Sequence, residues 1–439
     1  MSNLLETGIK MGENLIKSKI LSIGHKLKNS GFFHIVGANV FVNLISFFNG
    51  ILLVRLLAKE EYGAYTYANN ILGYFLMFIG MGMVSGVFQL CSETITEEDR
   101  CKSIYNYGGR VGNFFNFFIG ICILVFVLFI KLPVENAGIL LAISAFIPLF
   151  QFSTEIRKIY LRFTVQNQKY SYTLIIEALA MLVCYVLGAL FAGSYGVVIS
   201  RYVVYIIAIL FMTFLFNVPG KQDNSEIKTE DKDILYKISL ASLGANSASQ
   251  LLYLLDISIL GIVLSDSEVI ASYKVATTIP IALEFISQAV IIYVYPHFVN
   301  HRKDRIWLKS NFVKLLRVMG IVNFIIACGL IIFAPVILKL LFGEQYLDAT
   351  VPFRILAVEY FIKGTFRIIP GNILASQRRI KINLILSILT GVVNIMGNLI
   401  LIPRFGAIGA AISTCLVVVF SGGLSTAYMF VILNMDNKC

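Results

Sequence analysis

Apolar runs separated by short polar turns recur along the whole chain. They match the length of about 20 residues that an α-helix needs to cross a ~30 Å hydrocarbon core. A transmembrane β-barrel would instead show alternating segments of about ten residues. The pattern therefore predicts an all-α polytopic membrane protein. The predicted spans are residues 32–57, 64–91, 106–131, 136–156, 170–192, 194–216, 236–264, 267–298, 312–333, 351–374, 381–402 and 406–433.

Composition agrees with a membrane protein and excludes several other classes. The chain is 58% hydrophobic and 14% charged, whereas soluble domains are about half apolar and a quarter charged. The net charge of +11 fits basic cytoplasmic loops and predicts no nucleic-acid partner. The seven Cys form no CxxC motif, so they predict neither a disulfide framework nor a metal site. His297 and His301 have no further ligand nearby in sequence, so no metal is expected there either.

Lys and Arg set the predicted orientation. With the N-terminus inside, 26 of the 36 Lys and Arg residues fall in cytoplasmic segments and five fall in outer loops. Cytoplasmic loops of membrane proteins carry such an excess of positive charge. Both termini are therefore predicted to be cytoplasmic, and the protein is predicted to lie in the cytoplasmic (inner) membrane.

The predicted segments give a domain plan with one long polar linker. Residues 1–31 read as an amphipathic helix on the anionic membrane surface, with a disordered basic tail as the alternative. The outer loops are short, which argues against a membrane glycosyltransferase or polymerase, and no enzyme activity is expected. The plan is a cytoplasmic segment 1–31, a six-helix bundle 32–216, a cytoplasmic linker 217–235, a second six-helix bundle 236–433 and a tail 434–439.

The two predicted bundles carry traces of an internal duplication. AKEEYGAYTYANNI, from Ala58, aligns with DSEVIASYKVATTI, from Asp266, at an offset of 208 residues. Near the end of each half, GVVIS from Gly196 parallels GAAIS from Gly409. Transporters are often built from two related halves. Six spans in each half give both halves the same orientation in the membrane.

Polar residues recur at helical spacing inside several predicted spans. Intramembrane charges cost on the order of 2.5–3.5 kcal/mol on insertion scales, so they face a partner or water and not lipid. One interpretation is that Asp256–Lys274 and Glu359–Lys363 are pairs that only hold helices together. The other is that the stripes line a shared cavity whose Lys and Arg bind phosphate. The candidate cavity residues are Asn39, Asn43, Tyr65, Asn69, Asn70, Arg201, Asn246, Tyr253, Asp256, Lys274, Glu284, Glu359, Lys363 and Arg367.

Three stretches carry a family resemblance that covers essentially the whole chain. They are ILLVRLLAKEEYGAYTYA after the first span, QNQKYSY, and FGAIGAAIST at the start of the last span. The chain resembles the polysaccharide biosynthesis (Wzx-type) oligosaccharide flippases of the multidrug/oligosaccharidyl-lipid/polysaccharide superfamily. Family cavities are typically cationic, which fits Lys274, Lys363 and Arg367. Asp256, Glu284 and Glu359 depart from that pattern and leave the net charge of the cavity open.

The resemblance implies a flippase for undecaprenyl-pyrophosphate-linked oligosaccharides that works by alternating access of two bundles. Its product would serve O-antigen, capsule or exopolysaccharide assembly. Implied partners are the polyprenyl pyrophosphate substrate, membrane lipids, a polysaccharide polymerase and a chain-length regulator. No cofactor is expected, and coupling to a proton or sodium gradient stays open. The alternative function is an ion-coupled exporter of drugs or small cations from the same superfamily.

Overall fold

The computed structural model describes residues 32–94, 96–219, 227–377 and 380–434. These residues are almost entirely helical, and none of them forms a β-strand. The predicted amphipathic segment 1–31 lies outside the described residues, as do 220–226 of the predicted linker and 435–439 of the tail. The all-α prediction is therefore confirmed for the described part of the chain.

Thirteen α-helices and a short π-helix follow one another along the described chain. The π-helix, called the π segment below, is Lys363–Ile368. The α-helices are α1 (Phe32–Leu56), α2 (Lys59–Leu76), α3 (Met83–Glu93), α4 (Glu98–Phe129), α5 (Ala137–Ile143), α6 (Ile147–Phe163), α7 (Asn167–Phe214), α8 (Thr229–Leu264), α9 (Ser267–Asn300), α10 (Arg305–Leu341), α11 (Thr350–Ile362), α12 (Ile369–Ser376) and α13 (Ile380–Asn434).

Seven helical stretches of the described chain are long and apolar enough to cross a membrane, and the pair α5–α6, bent by 45°, makes an eighth. Two of the seven contain a break that separates two predicted spans: α7 breaks at Ala192 and Gly193, and α13 breaks at Gly406. α8 contributes a shorter apolar stretch, Leu254–Leu264. With α8 and with α11 to α12 included, the described helical segments follow the twelve predicted spans in order.

The two breaks have the same geometry, and this supports the predicted duplication. Gly193 has φ 57° and ψ −140°, and Gly406 has φ 57° and ψ −131°, a region that only glycine enters at little cost. Three residues later, a Cβ on Gly196 would lie 2.0 Å from the Gly188 carbonyl oxygen. A Cβ on Gly409 would lie 2.2 Å from the Leu401 carbonyl oxygen. Each half therefore ends in the same tight helical hairpin.

Some helix ends differ from the predicted spans. α2 begins at Lys59, five residues before the predicted start, because Glu60 and Glu61 in its first turn favour a helix N-terminus. The short apolar stretch 335–342 follows the predicted span 312–333 and lies outside every predicted span. α10 continues through Pro335 to Leu341, so the stretch is the last part of a long helix.

Contacts group the described chain into two compact units. The first comprises Phe78–Cys122, Ala145–Ala245 and the described part of Met1–Gly50. Its core includes Phe152 and Leu235, both fully buried. The second comprises Ile51–Met77, Ile123–Ser144 and the described part of Asn246–Cys439. Each unit takes pieces from both predicted bundles, and the division into 32–216 and 236–433 stays a prediction.

Within the second unit, the two copies of the duplicated stretch pack directly against each other. A Cβ on Gly63 of α2 would lie 1.8 Å from the Ser267 carbonyl oxygen of α9, so the backbones meet at a point where only glycine fits. Next to this contact, Lys59 Nζ lies 2.7 Å from Asp348 Oδ2. The Arg55 guanidinium donates hydrogen bonds to the carbonyl oxygens of Leu340 and Leu341 at the end of α10.

Candidate substrate cavity

A cavity of about 490 Å³ lies within the second unit. Its walls come from α8, α9, α11, the π segment, α12 and α13. The lining includes six of the predicted cavity residues, which are Asp256, Lys274, Glu284, Glu359, Lys363 and Arg367. The structure therefore brings together the charged members of the predicted stripes from α8, α9, α11 and the π segment.

Asp256 of α8 is surrounded by neutral hydrogen-bond donors. Its Oδ1 accepts from Asn394 Nδ2 at 3.0 Å and from Asn398 Nδ2 at 2.7 Å. Its Oδ2 accepts from the Tyr273 hydroxyl and from the Thr414 hydroxyl, each at 2.8 Å. Four neutral donors thus surround this one carboxylate.

This arrangement corrects one of the two pairs considered from the sequence. Lys274 takes part in none of the ion pairs found among the described residues, so Asp256 and Lys274 are not a neutralising pair. The reason is that Asp256 faces the amides and the hydroxyl of α13 instead. Lys274 lines the cavity without a carboxylate within 4.0 Å in the described chain.

Lys363 stands between two carboxylates. Its Nζ lies 2.6 Å from Glu284 Oε1 of α9 and 3.6 Å from Glu359 Oε1, one turn earlier on its own helix. The Glu359–Lys363 pair considered from the sequence therefore exists, but the closer partner is Glu284. Glu359 is 4% exposed, and its Oε1 accepts no hydrogen bond from the described residues.

A buried polar network fixes the backbone from which Lys363 projects. Asn323 of α10 donates to the Ser287 hydroxyl at 3.3 Å and to the Thr365 hydroxyl at 3.2 Å. Asn323 Oδ1 accepts from the Tyr360 hydroxyl at 3.0 Å. A Cβ on Gly364 would lie 2.8 Å from Asn323 Nδ2, so the π segment packs closely onto this network. π-helical turns inside α-helices are frequent at functional sites.

The charged residues balance in the part of the cavity lining that the structure describes. Asp256, Glu284 and Glu359 oppose Lys274, Lys363 and Arg367, so the lining has no formal net charge. Its charges are distributed unevenly, however. The carboxylates are engaged by donors or by Lys363, whereas the Lys274 ammonium has no carboxylate beside it in the described residues. Arg367 donates to the Ser425 hydroxyl at 3.3 Å.

Seven of the other predicted cavity residues do not line this cavity. In the second unit, Asn70 is buried and donates to the Ser258 hydroxyl at 2.7 Å, while Tyr65 and Asn69 are half-buried and Asn246 is exposed. The side chain of Tyr253 lies outside what the structure describes. In the first unit, Asn39 and Asn43 of α1 are exposed, and Arg201 of α7 is half-buried. Their place in a transport pathway stays a prediction.

Sequence reasoning missed the residues that surround Asp256. Asn394 and Asn398 lie four residues apart on α13, and Thr390 lies one turn before them. That 4–4 spacing is the same signal that identified the stripes of the other spans. Tyr273 was noticed only as the repeat partner of Tyr65. A stripe on the eleventh span, which was not predicted, would have completed the site.

A second lysine with two glutamates lies in the first unit. Lys158 Nζ lies 2.8 Å from Glu155 Oε1 and 2.5 Å from Glu177 Oε2 of α7. The Lys158 side chain is 7% exposed. Sequence reasoning placed Lys158 in a cytoplasmic segment, because charges usually mark the end of a span. The helix α6 continues past it to Phe163.

No group of three His, Cys, Asp or Glu side chains suited to a metal ion occurs in the described ranges. His301 instead stacks on the ring of Trp307, with 4.1 Å between ring centroids. His297 packs at 5.7 Å from the ring of Tyr293.

A family model described as "Polysaccharide biosynthesis protein" matches residues 52–351, more than half of the chain. The chain is also similar to two curated proteins. Over 167 residues it is 28% identical to the probable low-salt glycan biosynthesis flippase Agl15 of Haloferax volcanii. This match covers 37% of this chain and 34% of that protein. Over 154 residues it is 29% identical to the lipopolysaccharide biosynthesis protein WzxC of Escherichia coli. This match covers 35% of this chain and 30% of that protein. The matches thus span about a third of these relatives.

Solved structures share the fold over nearly the whole chain. An inward-facing multidrug resistance MATE family transporter of the MOP superfamily aligns with a TM-score of 0.73 and 13% identity, over 89% of this chain and 94% of that one. The lipid II flippase MurJ, in an inward closed conformation, aligns with a TM-score of 0.67 and 16% identity, over 91% of this chain and 87% of that one. At such low identities the likeness establishes the fold alone.

Proposed function

The chain belongs to the polysaccharide biosynthesis protein family, and from that premise we infer that it is a flippase for lipid-linked oligosaccharides. It is a multi-pass membrane protein of the same fold as solved transporters and a lipid flippase. Its substrate is an undecaprenyl-pyrophosphate-linked repeat unit of a surface polysaccharide. The protein moves this unit from the cytoplasmic to the outer leaflet of the inner membrane, with both termini in the cytoplasm.

The observation that carries this inference is the Lys274 ammonium in the wall of a cavity. A desolvated cation without a nearby carboxylate has lost its hydration and gains strongly from an anionic ligand. Lys363 and Arg367 line the same cavity and add two further donors of positive charge. A pyrophosphate carries several acceptor oxygens, so these three side chains can engage it together.

The size of the cavity fits a headgroup and not a whole substrate. Pockets for small ligands measure about 300–1,000 Å³, and this cavity measures about 490 Å³. Thr277, Gln288 and Asn372 also line it and offer hydrogen bonds to sugar hydroxyls. The polyprenyl chain would remain in the lipid, because the described lining residues do not form a long apolar channel.

Alternating access is the mechanism that the fold and the duplication support. The close contact of Gly63 with Ser267 shuts α2 against α9 at the end where Lys59 and Asp348 pair. If this contact opened and another part of the cavity wall closed, the cavity would become accessible from the side of the membrane at which Lys59 and Asp348 lie. The positive-inside distribution of Lys and Arg assigns this end to the outer surface.

The cluster around Asp256 is a candidate place for a coupling cation, which would displace the Tyr273 and Thr414 hydroxyl donors from the carboxylate. Asp256 contributes two carboxylate oxygens, and the Asn398 Oδ1 is buried without a hydrogen-bond partner in the described chain. Hard cations prefer carboxylate, amide and hydroxyl oxygens of this kind. Replacement of Asp256 by Asn should remove the dependence of transport on a sodium gradient. If the dependence persists in Asp256→Asn, the coupling cation binds elsewhere.

A cation exporter of the same fold is the second candidate, because the cavity holds as many carboxylates as cations. The two functions differ in what Lys363 and Arg367 do. For the flippase, the double change Lys363→Ala and Arg367→Ala should reduce surface glycan export to background, measured in cells that depend on this protein. Lys339→Ala, an exposed lysine paired with Glu344 at 2.6 Å, is the control. Full export by the double variant would favour the exporter.

A further inference from the structure

The strongest unexplained feature of the cavity is the position of Glu284. It lies 2.6 Å from Lys363 Nζ, so it already occupies the side of the ammonium that an anionic substrate needs. Glu359, at 3.6 Å, is the more distant carboxylate and lies on the same helix as the lysine. A lysine that serves as an anion site is thus covered by an anion of the protein itself.

We propose that Glu284 is a displaceable counterion of Lys363 and determines the specificity of the cavity for anions. Its carboxylate holds the place on the ammonium that the substrate's pyrophosphate takes. Substrate binding replaces Glu284, and its return to Lys363 assists release. This inference rests on the proposed function, since it assigns the same cavity to an anionic headgroup.

The exchange avoids the main cost of binding at a buried cation. Removing one partner from a buried ion pair is strongly unfavourable because it leaves an unpaired charge. When pyrophosphate replaces Glu284, the Lys363 ammonium keeps an anionic partner throughout. Arg367 and Lys274 line the same cavity and also attract the pyrophosphate. Glu284 carries one negative charge, so the cations of the cavity attract it less strongly than they attract the pyrophosphate. A neutral or cationic ligand cannot take the place of Glu284 on the lysine.

The surroundings allow Glu284 to move while Lys363 stays in place. The π segment is held by Asn323, whose partners are the Ser287 and Thr365 hydroxyls. Glu284 has its side chain 11% exposed and lines the open cavity. One turn further along α9, Gln288 lines the same cavity and can donate its amide to the displaced carboxylate. Because Ser287 belongs to α9, the same network also holds the backbone that carries Glu284, and the exchange is a rotation of the Glu284 side chain within the cavity.

The test is binding of inorganic pyrophosphate to the purified full-length protein in detergent, measured by calorimetry. Glu284→Gln removes the competing charge with little change in shape. We expect it to bind pyrophosphate about tenfold more tightly than the unchanged protein, which corresponds to about 1.4 kcal/mol. Lys363→Gln should bind more weakly than the unchanged protein. Glu177→Gln is the matched control, because Glu177 also pairs with a lysine, at 2.5 Å, and should leave the affinity unchanged.

The outcomes separate this inference from the proposed function. Glu284 is not the displaced counterion if Glu284→Gln binds pyrophosphate no more tightly than the unchanged protein. The same conclusion follows if Glu177→Gln increases the affinity for pyrophosphate by the same factor. The proposed function then stands if Lys363→Gln still weakens binding. If neither the unchanged protein nor Glu284→Gln binds pyrophosphate, both fail. Should Glu284→Gln not elute as a folded protein, Glu284→Asp, whose shorter side chain reaches Lys363 less well, should also bind more tightly than the unchanged protein.

Discussion

Lys158 and Lys363 each pair with two glutamates, and the comparison separates a structural cluster from a functional one. In both, one glutamate lies one turn earlier on the same helix and the closer one comes from another helix. The Lys158 side chain is 7% exposed, and the Lys363 side chain is 18% exposed and lines a cavity. The same set of one lysine and two glutamates therefore serves helix packing in one place and lines a polar cavity in the other.

The largest expected effect is on stability, from Lys158→Ala. Its removal leaves Glu155 and Glu177 without the buried ammonium that pairs with both, which costs about 3 kcal/mol by analogy with other broken buried pairs. Lys363→Ala should cost less, because the Lys363 side chain is 18% exposed against 7% for Lys158 and lines a cavity. The free energies of unfolding of both variants in detergent, from denaturant titrations, check this order. Equal losses would mean that both clusters are structural.

This difference was only partly predictable from the sequence. The stripe of Glu359, Lys363 and Arg367 is visible because four-residue spacing marks one helical face. Glu284 was recognised as a polar position in its own span, but its pairing with Lys363 depends on how α9 packs against α11, which no local pattern encodes. The predicted span ends at residue 156 because charged residues begin there, whereas α6 continues past Lys158 to Phe163, and the pairing of Lys158 with two glutamates depends on how the helices pack.

The fold was more accessible than the site. Twelve apolar runs gave the helical segments in the correct order, and the GVVIS and GAAIS stretches identified the repeated hairpins. The break geometry at Gly193 and Gly406 could not be derived, since it concerns backbone angles. The cluster around Asp256 was missed for a simpler reason: the 4–4 spacing of polar residues on α13 was not followed into that span.

The next expected effect on stability concerns the two helical hairpins, which have the same geometry. Gly196→Ala and Gly409→Ala should each lower the free energy of unfolding by about 1–3 kcal/mol, because the added methyl group meets a backbone carbonyl. The two losses should be similar, since both hairpins have the same geometry. Gly244→Ala, where a Cβ meets nothing within 4 Å, is the control. A clear inequality between the hairpins would argue against their structural equivalence.

The smallest expected loss in the free energy of unfolding comes from breaking the ion pair of Lys59. Lys59→Ala removes the pair with Asp348, in which the lysine side chain is 14% exposed and the aspartate side chain is 53% exposed, so the aspartate stays in contact with water. Pairs of this kind contribute about 0–1 kcal/mol. The variant should therefore unfold within about 1 kcal/mol of the unchanged protein in the same titration. A loss as large as that of Lys158→Ala would show that exposure does not set the ranking.

The most direct test of the central claim is translocation of a labelled undecaprenyl-pyrophosphate-linked oligosaccharide by the full-length protein in proteoliposomes. The account predicts that the unchanged protein moves the label between leaflets and that the double change Lys274→Ala and Lys363→Ala slows this at least about tenfold, the equivalent of about 1.4 kcal/mol. Lys339→Ala should leave the rate unchanged. Translocation by the double variant at the full rate, or none by the folded unchanged protein, would contradict the account.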